Sequence, residues 1–373
     1  MKKALVISNV TKRFQPGHFS MITPLKDLGF EVHWAANFSE YKDDITLAPC
    51  EIHHIDFKRN PFNLINIKAY KQLNSLLNKN EFELIHCQSP IGGALGRICA
   101  NKNSVKPIIY TAHGFHFYKG APLINKVLYK SVEIILAKCT DGIITMNQED
   151  LIAAKKINLR NKGKSYKIHG IGVDTRGYYL PSFNEKSVRK KIGVKEDSIL
   201  LVSLGDLIKR KNYRTAIKAI KNCENPKIEY IICGTGQEEN ELRALVKELN
   251  LEDQIHFLGF RTDTVELLNC ADIFIFTTYQ EGLPRSMMEA MAAGLPCLAS
   301  NIRGNIDLLD SNGGFLYSPD NDIGFSEGLN TLINNPELSG KMGKHNKEVV
   351  EKFDITNVKI EMKLIYKEIL GLE

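Results

Sequence analysis

The sequence predicts an α/β chain of two doubly wound parallel-sheet domains facing across a cleft. Three observations carry this. The chain has 373 residues, and domains cluster near ~100–200 residues. Short apolar runs alternate with helix-spaced segments, the pattern of parallel strands joined by crossover helices. The pattern stops once, over 174–189 (DTRGYYLPSFNEKSVR), and then begins again. That stretch lacks a long apolar run and carries Gly177 and Pro181, so it reads as a linker. The domains expected are 1–175 and 190–340. C-terminal helices over 341–373 follow, and a return of these helices to the first domain is expected.

The first seven strands are expected at 4–10, 31–36, 52–56, 84–87, 107–113, 142–146 and 166–169, with a helix over 62–78. The second series begins with Ser198-Ile199-Leu200-Leu201-Val202-Ser203-Leu204-Gly205. It continues at 230–233, 255–258, 273–278, 297–300 and 314–317. Residues 339–370 read as two helices. In open parallel sheets, ligands bind beyond the carboxyl ends of the strands, so residues just after strands are the candidates for chemistry.

Composition excludes several classes. Hydrophobic residues are 43% and charged residues 25%, which is ordinary globular chemistry. No apolar run approaches the ~18–20 residues that span a bilayer. The apolar stretch after Met1-Lys2-Lys3 is too short for a signal peptide and reads as a buried strand. The eight cysteines form no C-x-x-C pair, as in a cytosolic chain with reduced, buried thiols. Residues 1–185 hold 25 Lys and Arg against 15 Asp and Glu, a net of +10; residues 186–373 hold 24 against 28, a net of −4. The basic half points to an anionic partner such as a membrane surface, a lipid phosphate or nucleic acid. A solvated basic surface is the plain alternative.

The strongest chemical signal is Glu281-Gly282-Leu283-Pro284-Arg285-Ser286-Met287-Met288-Glu289, directly after an apolar strand. Pro284 and Ser286 suit a helix start. Glu281 then lies in the strand-to-helix loop and Glu289 about one turn into the helix. The helix N-terminus offers free N–H groups to a phosphate. A carboxylate accepts hydrogen bonds from two vicinal hydroxyls, as on a ribose or hexose. The plain alternative makes Glu281 a cap partner and Glu289 a surface residue.

This segment resembles the E-x7-E motif of the retaining glycosyltransferases of family 4, which have the GT-B architecture of two Rossmann-like domains. The resemblance continues in order along the chain. Gly205-Asp206-Leu207-Ile208-Lys209-Arg210-Lys211-Asn212 is similar to the family's "G-R-L-x-x-x-K-G/N" loop. Gly234-Thr235-Gly236 and the strand Ile255–Phe260 resemble its glycine turn and "V-x-F-x-G" strand. His113-Gly114 resembles its "H-G" pair, and Gly172-Val173-Asp174 its "G-V-D". The run His113-Gly114-Phe115-His116-Phe117-Tyr118-Lys119-Gly120 is most similar to exopolysaccharide and capsule enzymes.

The resemblance implies roles. Glu289 binds the nucleotide ribose, and Glu281 holds donor-sugar hydroxyls near the anomeric carbon. Gly282, Leu283 and Pro284 approach sugar and diphosphate, with Gly205 and Gly234 also at the donor. Lys211 neutralises the diphosphate as the sugar leaves. His113 faces the sugar from the first domain. Asp206 departs from the family's usual Arg, which leaves the second phosphate cation open between Lys209 and Arg210. After the first strand the family usually has a glycine-rich turn; here Lys12, Arg13, Gly17 and His18 stand instead. They are candidates for acceptor or phosphate binding, with a basic surface loop as the alternative.

The expected activity is transfer of a hexose or N-acetylhexosamine from a UDP-sugar to a lipid-linked or saccharide acceptor. The resemblance implies retention of anomeric configuration, no metal and no cofactor. A nucleotide-sugar epimerase of the same fold and a non-catalytic partner subunit remain alternatives. Asp320-Asn321-Asp322 spells D-x-D but reads as a turn. His53-His54 on a strand points two ways, and His113 with His116 lacks a third ligand. Glu239 replaces the third glycine of a dinucleotide fingerprint. No nucleic-acid module is recognisable. The expected location is the cytoplasm, with peripheral contact at an anionic inner membrane face through Lys58-Arg59-Asn60-Pro61-Phe62-Asn63-Leu64-Ile65.

Overall fold

The computed structural model describes residues 1–180 and 182–372; Pro181 of the expected linker lies outside them. The chain divides into two compact units. One holds residues 1–172 and 355–372, the other Val173–Asp354.

The first unit is a seven-stranded sheet in the order β3-β2-β1-β4-β5-β6-β7. Its strands are β1 (Lys2–Val10), β2 (Phe30–Asn37), β3 (Glu51–His54), β4 (Leu84–Gln88), β5 (Ile108–Ala112), β6 (Gly142–Thr145) and β7 (Lys164–Lys167). All neighbours pair in parallel. The helices between them are α1 (Phe19–Asp27), α2 (Ile65–Lys79), α3 (Pro90–Lys102), α4 (Leu123–Ala137) and α5 (Gln148–Ala154). β4 and β5 are buried along their whole length, so neither alternates between an apolar and a solvated face; β4 buries even the polar His86 and Gln88. Asn147 caps α5 by accepting the Asp150 N–H at 2.8 Å.

The second unit has six parallel strands in the order β10-β9-β8-β11-β12-β13. They are β8 (Ile199–Leu204), β9 (Ile228–Cys233), β10 (Ile255–Gly259), β11 (Ile273–Phe276), β12 (Cys297–Ser300) and β13 (Gly314–Tyr317). Its helices are α6 (Glu185–Ile192), α7 (Tyr213–Cys223), α8 (Glu239–Glu248), α9 (Thr264–Asn269), α10 (Arg285–Ala293), α11 (Asp322–Ile333) and α12 (Pro336–Val350). The last helix, α13 (Ile355–Leu370), belongs to the first unit.

Two boundaries differ from the sequence expectation. Residues 184–189, expected in the linker, open α6, whose side chains are mostly charged. Asn184 caps it through the Ser187 N–H at 3.1 Å, and Gly193 ends it with φ +79°. Arg189 is buried, donating to the Ser198 carbonyl at 2.7 Å and Asp272 at 3.0 Å. The stretch is therefore part of the second unit's fold. α12 also stays with that unit, because Asn346 donates to the Leu295 and Gly313 carbonyls, each at 2.8 Å. The chain passes between units at 172–173 and 354–355. There Val173 donates to the Phe353 carbonyl at 3.0 Å, and Thr175 to Asp354 at 2.9 Å.

α13 is fastened to the first sheet through buried polar groups. The Tyr366 hydroxyl lies 2.6 Å from His86 Nδ1, and the Thr111 hydroxyl 2.7 Å from His86 Nε2. Burial, and then His113, push the His86 imidazole down to about 3. The folded state therefore holds it neutral where the unfolded chain, near 6.5, takes a proton. Its contribution is complete above pH 6.5 and is lost as the pH falls towards 3, by up to about 1.4 kcal/mol per pH unit. Urea unfolding read by Trp34, the one tryptophan and wholly buried in this unit, should show that slope, and His86→Gln should flatten it.

All eight cysteines are free, and six are buried. Among the described residues, no helix is long and apolar enough to cross a membrane.

Candidate active site

The second unit gathers its charged side chains at the carboxyl ends of β8 and β11. Glu281 lies in the loop after β11 with its side chain 11% exposed. Its Oε1 accepts from Lys211 Nζ at 2.9 Å, Arg210 at 2.8 Å and the Thr278 hydroxyl at 3.0 Å. Lys211 is equally buried and lies 4.7 Å from the Phe276 ring centroid. Two cations and one carboxylate thus form one cluster with an excess positive charge. Arg303, buried after β12, adds a third cation by donating to the Glu281 carbonyl at 3.1 Å.

The loops around this cluster are pressed backbone to backbone. A Cβ on Gly234 would come within 1.9 Å of the Gly205 carbonyl oxygen, so only glycine allows that approach. Gly205 (φ +153°) lies beside Lys211, where a Cβ would meet Lys211 Cε at 3.2 Å. A Cβ on Gly304 would come within 2.5 Å of the Gly282 oxygen. These approaches position Lys211 and the 281–284 loop without intervening side chains.

α10 begins at Arg285, one residue after Pro284. Pro284 occupies the cap position and makes no side-chain cap bond; the first-turn amides of a helix favour a nearby anion. Ser286 is inside the helix rather than at its cap. The helix ends at Gly294 (φ +86°). Glu289 sits on this helix with its side chain 13% exposed. Arg285 Nε donates to its Oε1 at 2.8 Å, and the Tyr178 hydroxyl also bonds it. Burial raises the Glu289 carboxyl, against the opposing pull of Arg285 and Tyr178.

In the first unit, His113 follows β5 and is exposed. Its Nε2 lies 2.9 Å from Gln88 Oε1 at the end of β4. Its imidazole is lowered, first by the protein packed around it and then by His18. Asp150, 1% exposed, accepts the Phe115 N–H at 3.2 Å and so fixes the turn after His113.

The 11–18 loop sets its basic side chains beside acidic ones. Lys12 pairs with Glu40, and Arg13 with Asp43 at 3.0 Å. Gly17 is buried because a Cβ would come within 2.8 Å of Ile171. His18 Nδ1 accepts the Gln15 N–H at 2.8 Å, and its ring lies against Phe14 and Trp34. Both ion pairs are solvent-exposed and therefore weak.

Sequence reasoning singled out Glu281, Glu289, Lys211, Gly205 and Gly234, and the structure brings Glu281, Lys211 and Gly205 together. Arg210, left open beside Lys209, is the one that reaches Glu281. Asp206 is exposed. Tyr178, Thr278 and Arg303 had no part in that reading. The D-x-D run opens α11, where Asn321 caps the Gly324 N–H at 3.0 Å. Among the described residues, no three His, Cys, Asp or Glu side chains gather as a metal site.

Residues 184–349 match the model of "Glycosyl transferases group 1", and residues 7–147 that of "Glycosyl transferase 4-like". The whole chain is 33% identical to the putative glycosyltransferase EpsD of Bacillus subtilis, covering 98% of it. The chain belongs to the family 4 glycosyltransferases. This glycosyltransferase is also 29% identical, over 81% of its length and 79% of the other's, to an Escherichia coli enzyme. That enzyme is the UDP-Gal:alpha-D-GlcNAc-diphosphoundecaprenol alpha-1,3-galactosyltransferase. Its fold is similar to Anabaena HepE in complex with UDP and glucose, with a TM-score of 0.82 and 20% identity over 99% and 100% of the two chains. The glycosyltransferase therefore has the GT-B class of fold, built from the two parallel-sheet units described above.

Proposed function

We propose that this glycosyltransferase moves a hexose or N-acetylhexosamine from a UDP-sugar to a lipid-linked saccharide acceptor in surface-polysaccharide synthesis, with retention and without a metal. The observation that carries the reading is the Glu281–Lys211–Arg210 cluster at the loop that leads into α10. The name of the galactosyltransferase relative, which gives a GlcNAc-diphosphoundecaprenol acceptor, supports the acceptor class.

In this reading, the diphosphate lies on the α10 amides and on Lys211 and Arg210. Its charge rises as the sugar departs, so these groups bind the transition state more tightly than the donor. Glu281 faces the sugar and stabilises positive charge at the anomeric carbon. Glu289 accepts from the ribose hydroxyls and is held in place by Arg285 and Tyr178. The departing diphosphate takes the acceptor's proton on the face it leaves.

The test is a reaction with UDP-sugars and a diphospho-lipid saccharide in EDTA, with the product's anomeric configuration read by NMR. Retention and full turnover in EDTA are expected; an inverted product, or a rate restored only by a divalent ion, contradicts this mechanism. Sugar epimerised without acceptor contradicts the transferase reading. Glu289→Gln should raise the donor KM about tenfold, the cost of one charged hydrogen bond, with a smaller change in kcat. An unchanged donor KM would remove Glu289 from the ribose.

A further inference from the structure

α4 buries a charged residue, Glu133, together with Leu136 and Ala137; Glu133 makes a bidentate pair with the fully buried Arg97 at 2.7 and 3.0 Å. Its outward side carries Leu123, Ile124, Val127, Leu128, Ile134 and Ile135, which are between 46% and 76% exposed. Their spacing places them on one side of the helix. An oily face turned outward is the reverse of a helix built for water. Contiguous exposed apolar surface of this kind marks a contact site.

The surroundings of the face are basic. Lys126, Lys130 and Lys138 lie on or beside α4, Lys119 precedes it, and Glu133 is its one acid. A second segment adjoins it. Phe62 is 82% and Leu64 78% exposed, and they follow Lys58 and Arg59. Phe62 and α4's Leu128 and Val132 line one cavity of about 250 Å³ with Ile91, Phe115 and Phe117. Gly114, the neighbour of His113, also borders it.

We propose that the outward face of α4, with the 58–64 segment, lies on an anionic bilayer, and that the cavity beside it receives the near end of an acceptor's hydrocarbon chain. Charge decides the occupant. An oily face with a lysine rim suits acyl chains beneath anionic headgroups. Two copies of the same face would set like charges against each other. The docking stands on this unit's own surface; only the use of the cavity rests on the transferase reading. Docking there would deliver a lipid-linked saccharide beside His113.

The test is co-sedimentation of the full chain with phosphatidylcholine vesicles holding about one-third phosphatidylglycerol, in low and high salt. Binding to these vesicles, and not to pure phosphatidylcholine, is expected. The Ile124→Gln, Val127→Gln, Ile135→Gln triple variant should bind at least about tenfold more weakly. Lys130→Gln with Lys138→Gln should weaken binding mainly at low salt. Trp34 fluorescence and UDP binding check that each variant is folded. No vesicle binding, or equal binding by the triple variant, overturns the proposal. So does a wild-type dimer in sedimentation velocity that the triple variant dissolves. Glu289→Gln should sediment like the wild type, which separates failure of docking from failure of the donor site.

Discussion

Lys211→Ala should lower kcat/KM for sugar transfer by on the order of 10³, with most of the loss in kcat. Lys211 lies 2.9 Å from Glu281, largely shut off from water, where one cation facing a growing phosphate charge has its greatest effect. A donor already carries much of its charge in the ground state, so KM changes less. Stability should change little. Glu281 keeps Arg210 at 2.8 Å and the Thr278 hydroxyl at 3.0 Å, so the carboxylate is not left alone. Arg210→Ala should cost less, because its side chain is 40% exposed and its field is screened. Undiminished turnover by Lys211→Ala would remove that residue from the mechanism. A loss of turnover with equal loss of Tm would reassign it to structure.

Glu133→Gln should destabilise the first unit by about 3–5 kcal/mol, the cost of leaving a buried partner charge uncompensated. That partner is Arg97, fully buried, which also donates to the Gly93 carbonyl at 2.9 Å and lies 3.9 Å from the Tyr110 ring centroid. Neither of these contacts neutralises it. Replacing both residues, as Arg97→Met with Glu133→Leu, should recover most of the loss, since two apolar groups carry no unpaired charge. The double-mutant cycle is read by urea unfolding with Trp34 fluorescence, which reports this unit alone. A Glu133→Gln loss under about 1 kcal/mol would mean that the pair is not what anchors α4.

The two predictions also mark where the sequence was legible. The central strands stood out because parallel strands covered on both faces are rich in apolar residues, whereas the edge strand β7 (KSYK) is polar with exposed ends and lies two residues before its expected place. The 281–289 string was legible because strand, turn and helix follow each other locally, so spacing alone places Glu281 in a loop and Glu289 on a helix. α6 was not legible. Its sequence EKSVRKKI is mostly charged, and it is held by Asn184, Gly193 and the buried Arg189 rather than by an apolar stripe. Its membership of the second unit depends on Arg189 reaching Asp272, 83 residues away. The same limit hid Arg303, which meets Glu281 across 22 residues, and Tyr178, which meets Glu289 across more than a hundred. Contacts of that range leave no period in a sequence. The exposed apolar face of α4 was hidden for another reason. A periodic apolar stripe gives the length and face of a helix but not which way the face points.

The departures at Asp206 and Lys12 have local physical causes. Asp206 is exposed, while Arg210, four residues on, provides the second cation beside Lys211. Lys12 and Arg13 stand next to Glu40 and Asp43, which the fold brings from beyond β2. The acids beside this basic pair lie elsewhere in the chain, so sequence spacing does not show them.

The donor site is tested most directly by thermal unfolding against a panel of nucleotides and nucleotide-sugars in EDTA, wild type beside Lys211→Ala. A ligand bound only by the folded state contributes about 2.7 kcal/mol at 100 times its Kd, enough to raise Tm visibly. The account predicts stabilisation by UDP and by one UDP-sugar, strongly reduced in Lys211→Ala. No stabilisation by any nucleotide or nucleotide-sugar, or an equal shift in both proteins, would contradict it.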